Sequence, residues 1–272
     1  MEPGIGLHRE LAPLSEPAWQ KVDDEAREVL RLHLAARKLM EFDGPHGWSH
    51  SAIDLGDVTP VELAIRGALF RRRRVRPLVE LRVPFELERA ELERIDRGAR
   101  DADLDPLREA ARRFAAAEDI ALFEGIEDAD LPGLLSDADH EPVALPEDGA
   151  RIPDVVVEAL GRLRRAGVAG PYALVLGPEP FAVLESTVLD GYPILRHVQT
   201  LIDGPVVWAP PLSGGAVLSL RGGDFRLVVG RDASIGYLSH DEERVRLYLE
   251  ESFSAEVTGP EAVVPLLRTR GA

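Results

Sequence analysis

The sequence predicts an α+β fold in two or three sub-regions, and three observations carry that prediction. Apolar residues recur at helical spacing near the start and again after Pro106. Beyond Ala150 the rhythm changes to short alternation of helix and strand. The C-terminal part then holds a long run of strand-type alternation, RVRLYLEESFSAEV. With 272 residues, 45% of them apolar and 29% charged, the chain falls in the ordinary globular class and can bury a sizeable core. It has no cysteine, which excludes disulfides, thiolate metal sites and a cysteine nucleophile. Its 48 acids against 32 Lys plus Arg give a net charge of −16, a field that repels polyanions such as DNA. No apolar run approaches the roughly 18 residues of a membrane span, and MEPGIGLHRE lacks a signal-peptide core. The expectation is a soluble, cytoplasmic protein without membrane or nucleic-acid partners.

The first helix is expected from Ser15, a good N-cap with Pro17 in the first turn, to about Glu41. Its apolar face holds Trp19, Val22, Ala26, Val29, Leu30, His33 and Met40, and turn chemistry at Gly44, Pro45 and Gly47 ends it. From Ser51 to about Arg76 the pattern weakens to an extended arm or hairpin with little to bury. Then LVELRVPFEL alternates as a half-buried strand, with Pro84 marking an edge or a bulge. ELERID reads as a second alternating segment running into the turn at Gly98.

A long helix follows from Pro106 to Glu124, with Leu107, Ala110, Ala111, Phe114, Ala117 and Ala121 on one stripe. The polar stretch from Glu127 to Ala150 reads as a boundary or surface loop. Helices are expected over Pro153 to Ala166, Pro180 to Val188 and Ile194 to Ile202, with YALVLG as a fully buried strand. VVWAP, AVLSL and FRLVVG are further strands. In the last long run Val245, Leu247, Leu249, Phe253, Ala255 and Val257 share one phase.

Little in the chain points to catalysis. His46 and His50 are four apart, a metal-ligand spacing on a helix, but the glycines and proline around them make a turn, so no metal is expected. His33 on the apolar stripe reads as a packing residue. There is no G-x-S-x-G elbow, P-loop or G-x-G-x-x-G, and Gly222-Gly223-Asp224 reads as a tight turn. The one basic concentration is Arg71, Arg72, Arg73 and Arg74 with Arg76. Without interleaved aromatics beyond Phe70 it suits contact with carboxylates of a neighbouring subunit better than nucleic acid, and a solvated arm is the plain alternative.

Several stretches, in order and over nearly the whole chain, resemble the encapsulin shell proteins, also called the linocin family. They are LAPLSEPAW, AARKLMEFDGPHGW, RPLVELRVPFELERAEL, AEDIALFEGI, AGVAGPYALVLGP, DGYPILRHV, RGGDFRLVVGRDASIGY and VRLYLEESFSAEV. The resemblance implies the HK97-type fold of tailed-phage capsid proteins and a homo-oligomeric icosahedral shell, the smallest (T=1, sixty copies) being expected. It implies a P-domain over 1–50, 83–130 and 221–272, an E-loop over 51–82 and an A-domain over 131–220.

It also implies no enzymatic activity and no cofactor. The partner would be a cargo protein, a dye-decolourising peroxidase or a ferritin-like ferroxidase, docked by a C-terminal peptide. The family's groove maps to Leu34, Arg37 and Glu41 on the first helix and to Asp232, Ile235 and Tyr237; ordinary packing within the domain is the competing role for these residues. The five-fold pore maps to Asp190, Gly191 and Tyr192, where a carboxylate ring would favour cations. Gly191 stands where some relatives carry a histidine, and Ala90 where a flavin-binding relative carries a tryptophan, so neither property transfers. The alternatives are a prophage capsid protein that packages DNA and, in a different class, a small-molecule enzyme or a bacteriocin-like protein.

Overall fold

A computed structural model of the chain describes residues 6–63 and 67–268. Helix α1 spans Glu16–His33, opened by the Ser15 side chain, which accepts the Ala18 N–H at 3.2 Å. Trp19, Val22, Ala26 and Leu30 form its buried face. The helix stops short of the expected Glu41. The amides of Ala35 and Ala36 donate instead to the buried carboxylate of Asp119, at 3.0 and 2.9 Å, so they cannot continue the helical ladder. A single 3-10 turn, Ala36–Lys38, and strand β1, Glu41–Asp43, follow. Met40 is buried, but outside the helix.

The expected arm is a hairpin of β2, Ala52–Val61, and β3, Phe70–Pro77, which pair only with each other. Val58, Val61, Leu69, Phe70 and Val75 are exposed on it. Strand β4, Val79–Glu88, pairs along its length with one neighbour and is an edge strand, as Pro84 requires. The segment after it is not a strand. Arg89–Asp96 is helix α2, because Leu92 and Ile95 are its buried pair and their i, i+3 spacing aims both at one face. Helix α3, Asp105–Glu124, ends at Gly125, whose φ of 76° an L side chain would strain.

The polar stretch after α3 is not wholly loop, since its VAL triplet forms β5, Val143–Leu145. Next come α4, Ile152–Arg165, β6, Tyr172–Leu176, and α5, Pro178–Ser186. A two-residue hairpin joins β7, Val188–Leu189, to β8, Tyr192–Pro193, and α6 covers Ile194–Ile202. Strands β9, Val206–Trp208, and β10, Gly215–Ser219, close this part. Four strands follow, β11, Phe225–Val229, β12, Ser234–His240, β13, Arg244–Val257, and β14, Val263–Arg268, with one 3-10 turn, Pro260–Ala262, between the last two. Strands β1, β12 and β14 carry no strong alternation and went unrecognised in the sequence.

Two sheets result. One has the order β1-β11-β13-β12 with β4 also on β13; the other runs β5-β14-β10-β6-β9. Strand β14 therefore returns into the second sheet, apart from β11, β12 and β13. Likewise Val79 to Arg82, at the end of the expected 51–82 loop, already pair with β13. There are two apolar cores. One packs α1, α2 and the first half of α3 onto β4 and the start of β13, around Trp19, Phe114 and Leu247. The other fills the second sheet and its helices and takes in Phe123, Phe253 and Ala255. Strand β13 and helix α3 each run through both cores.

Candidate functional site: a groove over a buried charge cluster

Beside α1 lies an open groove of about 2020 Å³. Two segments wall it: Trp19, Leu30 and Leu34 belong to α1 and the residue after it, and Asp232, Ala233 and Ile235 to the chain entering β12. Two cation–aromatic pairs are among its lining residues. The Arg9 guanidinium lies 3.8 Å from the Trp19 ring and pairs with Asp23 at 2.8 Å. Arg231 lies 4.4 Å over Trp48.

The floor is ionic. Arg37 Nε and Nη2 donate to the two carboxylate oxygens of Glu118, at 2.7 and 3.0 Å. Nη2 also donates to Glu251 at 2.5 Å, and Nη1 to Asp232 at 2.7 Å. The side chains of Glu118 and Glu251 are fully buried. Burial alone disfavours the charge on Arg37, but the three carboxylates outweigh it and hold its pKa above the ordinary range. Burial, reinforced by Glu118, pushes the Glu251 carboxyl well above the usual carboxylate range against the pull of Arg37. Burial likewise raises Asp119 to about 7, against the two amides that favour its charged form.

Four of the six expected groove residues are brought together: Leu34, Arg37, Asp232 and Ile235. Two are not. Because α1 ends early, Glu41 sits on β1 rather than on the helix, where it accepts the Gly223 N–H at 3.0 Å and borders a separate hollow. Tyr237 lies on β12; its hydroxyl contacts His240 Nδ1 at 2.6 Å and its amide donates to Leu7.

Asp190 and Gly191 form the two-residue turn between β7 and β8, with φ of 50° and 82°. This is the Asp-Gly chemistry of a tight hairpin. Val188, Leu189 and Tyr192 stand exposed beside it. Arg71 to Arg74 lie exposed on β3, with Arg74 3.7 Å from Asp57 of the facing strand. Arg76 differs, since at the arm's root it donates to the Ala255 carbonyl at 2.9 Å and so ties the arm to its own chain.

His33 Nδ1 meets the Val29 carbonyl at 2.8 Å, and its ring packs on Trp208. His46 reaches Asp43 at 2.9 Å, and no group of side chains among the described residues is arranged to hold a metal. At the Gly222-Gly223 turn, Arg221 pairs with Asp224 instead of offering its charge to an anion. No helix among the described residues is long and apolar enough to cross a membrane.

The sequence reading missed Trp48 and Arg9 on the groove and Glu118 and Glu251 beneath it. The last two had a signal: each is an acid at an apolar position. Glu118 is four residues after Phe114 on the stripe of α3, and Glu251 falls in phase with Leu249 and Phe253.

Residues 6–254 match the family model described as encapsulating protein for peroxidase, the linocin family. That match covers most of the chain. This protein belongs to the encapsulin family. Its relatives include the type 1 encapsulin shell protein of Rhodospirillum rubrum, 49% identical, with 96% of this chain and 95% of that protein covered. Another is the type 1 encapsulin shell protein of Mycolicibacterium paratuberculosis, 43% identical over 96% of this chain and 98% of the relative. Among solved structures, the virus-like particle of Pyrococcus furiosus aligns at a TM-score of 0.66 and 16% identity, covering 90% of this chain and 98% of that one. A structure of Gordonia phage Cozz aligns at 0.55 and 13%, covering 86% and 85%. The fold is thus the HK97-type capsid fold. As an encapsulin, the chain is a shell protein with a structural rather than a catalytic role.

Proposed function

We propose that this encapsulin closes into a T=1 compartment that holds an oxidative or iron-handling cargo enzyme, docked by a C-terminal peptide in the groove beside α1. The observation that carries the docking reading is the groove itself. Apolar Leu30, Leu34 and Ile235 lie within reach of ionic Arg37 and Asp232, a combination that suits an extended peptide with apolar anchors and charged ends. The description of the matched family, encapsulating protein for peroxidase, favours a peroxidase as cargo, of the dye-decolourising class that the family resemblance implies, with a ferritin-like ferroxidase the alternative. Self-assembly draws support from the arm. A hairpin that exposes Val58, Leu69 and Phe70 and shares no sheet with the rest of the described chain would bury that apolar surface against another copy. The exposed tip at Asp190, Gly191 and Tyr192 would gather around a five-fold pore and favour cations there.

Two measurements test this. Purified protein should elute in the void volume of a sizing column and show uniform hollow particles by electron microscopy. An ultraviolet spectrum dominated by nucleic acid would instead favour a DNA-packaging capsid. Co-expressed with its cargo, the wild-type shell should retain it. L34A and I235A should still form particles but load at least about tenfold less, the loss of one or two apolar anchors. Equal loading in wild type and both variants would remove the groove from the docking reading.

A further inference from the structure

The charge cluster under the groove sits on the seam between the two apolar cores. On α3, Ala115 belongs to one core and Ala121 to the other, with Glu118 and Asp119 between them. On β13, Leu249 belongs to one and Phe253 to the other, with Glu251 between. Along the chain after α1, Leu34 is in one core and Ala35 in the other, and Arg37 follows. Three carboxyl side chains therefore meet where apolar packing is interrupted, and all three are buried.

Among the described residues, Arg37 is the one cation in ion-pair contact with them. Arg37 serves Glu118 and Glu251 inside and Asp232 at the half-exposed rim. The other groups facing Glu251 do not balance the count. Asp119 lies next to Glu118 on α3 and is held by amides, with the charge of Lys38 acting weakly on it. On β4 the residue opposite Glu251 is Leu81. Glu250 is taken up by Arg82 and Arg231. One oxygen of Glu251 is buried without a hydrogen-bond partner. A fully ionised cluster would bury two carboxylates on one guanidinium, a cost that a bound proton removes.

We propose that Arg37, Glu118, Glu251 and Asp232 form a proton-holding tie between the two walls of the groove, tight while Glu251 is protonated and loosened when it ionises. Arg37 stands after α1, on one wall, and Asp232 begins the other wall, where its carboxylate also accepts the Ala233 N–H at 2.8 Å. With Glu251 neutral, Arg37 balances Glu118 and keeps Asp232 drawn in. With Glu251 ionised, the excess buried charge is relieved by admitting water and letting the Asp232 wall move out. The direction agrees with the raised affinity of Glu251 for its proton. The groove's role as a peptide dock rests on the function proposed above; the tie itself does not.

Hydrogen–deuterium exchange on empty, assembled wild-type particles tests it, run from about pH 6 to about pH 9 and corrected for intrinsic rates. Segments 34–40 and 231–237 should lose about tenfold or more in protection as pH rises, while β10 and β6 do not change. E251Q should hold the protection of 231–237 constant, whereas 34–40 still follows Asp119, whose carboxylate takes the Ala35 and Ala36 amides. Protection of 231–237 that is flat in the wild type, or falls equally in E251Q, overturns the proposal. Should E251Q not fold, D119N carries the test by infrared spectroscopy. A protonated-carboxyl band present at about pH 6 and gone by about pH 9 supports the tie, and its absence at the lower pH overturns it. Neither experiment contains cargo, so a failure here leaves the docking reading untouched, and loading can fail while the tie holds.

Discussion

On the arm, Arg71 to Arg74 stand side by side in solvent with a single close carboxylate, Asp57, among the ion pairs described. At the floor of the groove, Arg37 alone engages three carboxylates, two of them fully buried. The run that is conspicuous in sequence is thus loosely held within its own chain, while an isolated arginine is the one embedded. Solvated charges cost little and are worth little, so they can accumulate on a surface kept for another molecule. Buried charges must be matched one by one, and they tolerate no surplus.

The largest expected effect separates assembly from folding. Removing the arm from Gly56 to Arg74 should abolish particles on a sizing column while leaving the circular dichroism of the folded body. If the body unfolds as well, the arm belongs to the core and the contrast fails. Next in size is R37A. It strands Glu118 and Glu251 and should cost about 3–5 kcal/mol, seen as a lowered thermal transition of the particle. Replacing Arg71 to Arg74 together by serine should leave that transition nearly unchanged and shift assembly instead. Particle yield should also respond to low pH and high salt, since every copy carries −16.

A third effect is set by pH. The Asp119 carboxyl rises from 3.8 to about 7 on folding, so the native state holds a proton that the unfolded chain releases. Stability from this group is therefore full below about pH 4 and falls as pH rises to about 7, by about 4 kcal/mol at most. D119N should flatten that slope in denaturant titrations, and an unchanged slope would show that the amides of Ala35 and Ala36 keep Asp119 ionised throughout. The smallest effect is expected at R27A, which removes an exposed pair with Asp24 and should cost no more than about 0.5 kcal/mol.

Much of the fold was legible. Helix α6 and strand β13 lie at the residues their patterns mark, because a stripe at helical spacing or a long alternation can bury one face in only one way. ELERID was misread because a six-residue window fits both periods, and only the packing of Leu92 and Ile95 decides. The groove was half legible. Leu34 and Ile235 are apolar and Arg37 is charged at positions the family resemblance marks, but Glu41 was assigned to a helix that Asp119, far off in sequence, cuts short.

By itself the sequence determined the class of fold, the coreless arm, the acidic surface and the family, since these depend on local periodicity, composition and collinear motifs. The tertiary structure decided where α1 ends, that β14 returns to the second sheet, and that Arg37, Glu118, Glu251 and Asp232 meet. Those facts depend on contacts between residues far apart in the chain. A charge that breaks an apolar pattern announces that it needs a partner, but only the folded chain shows which one it finds.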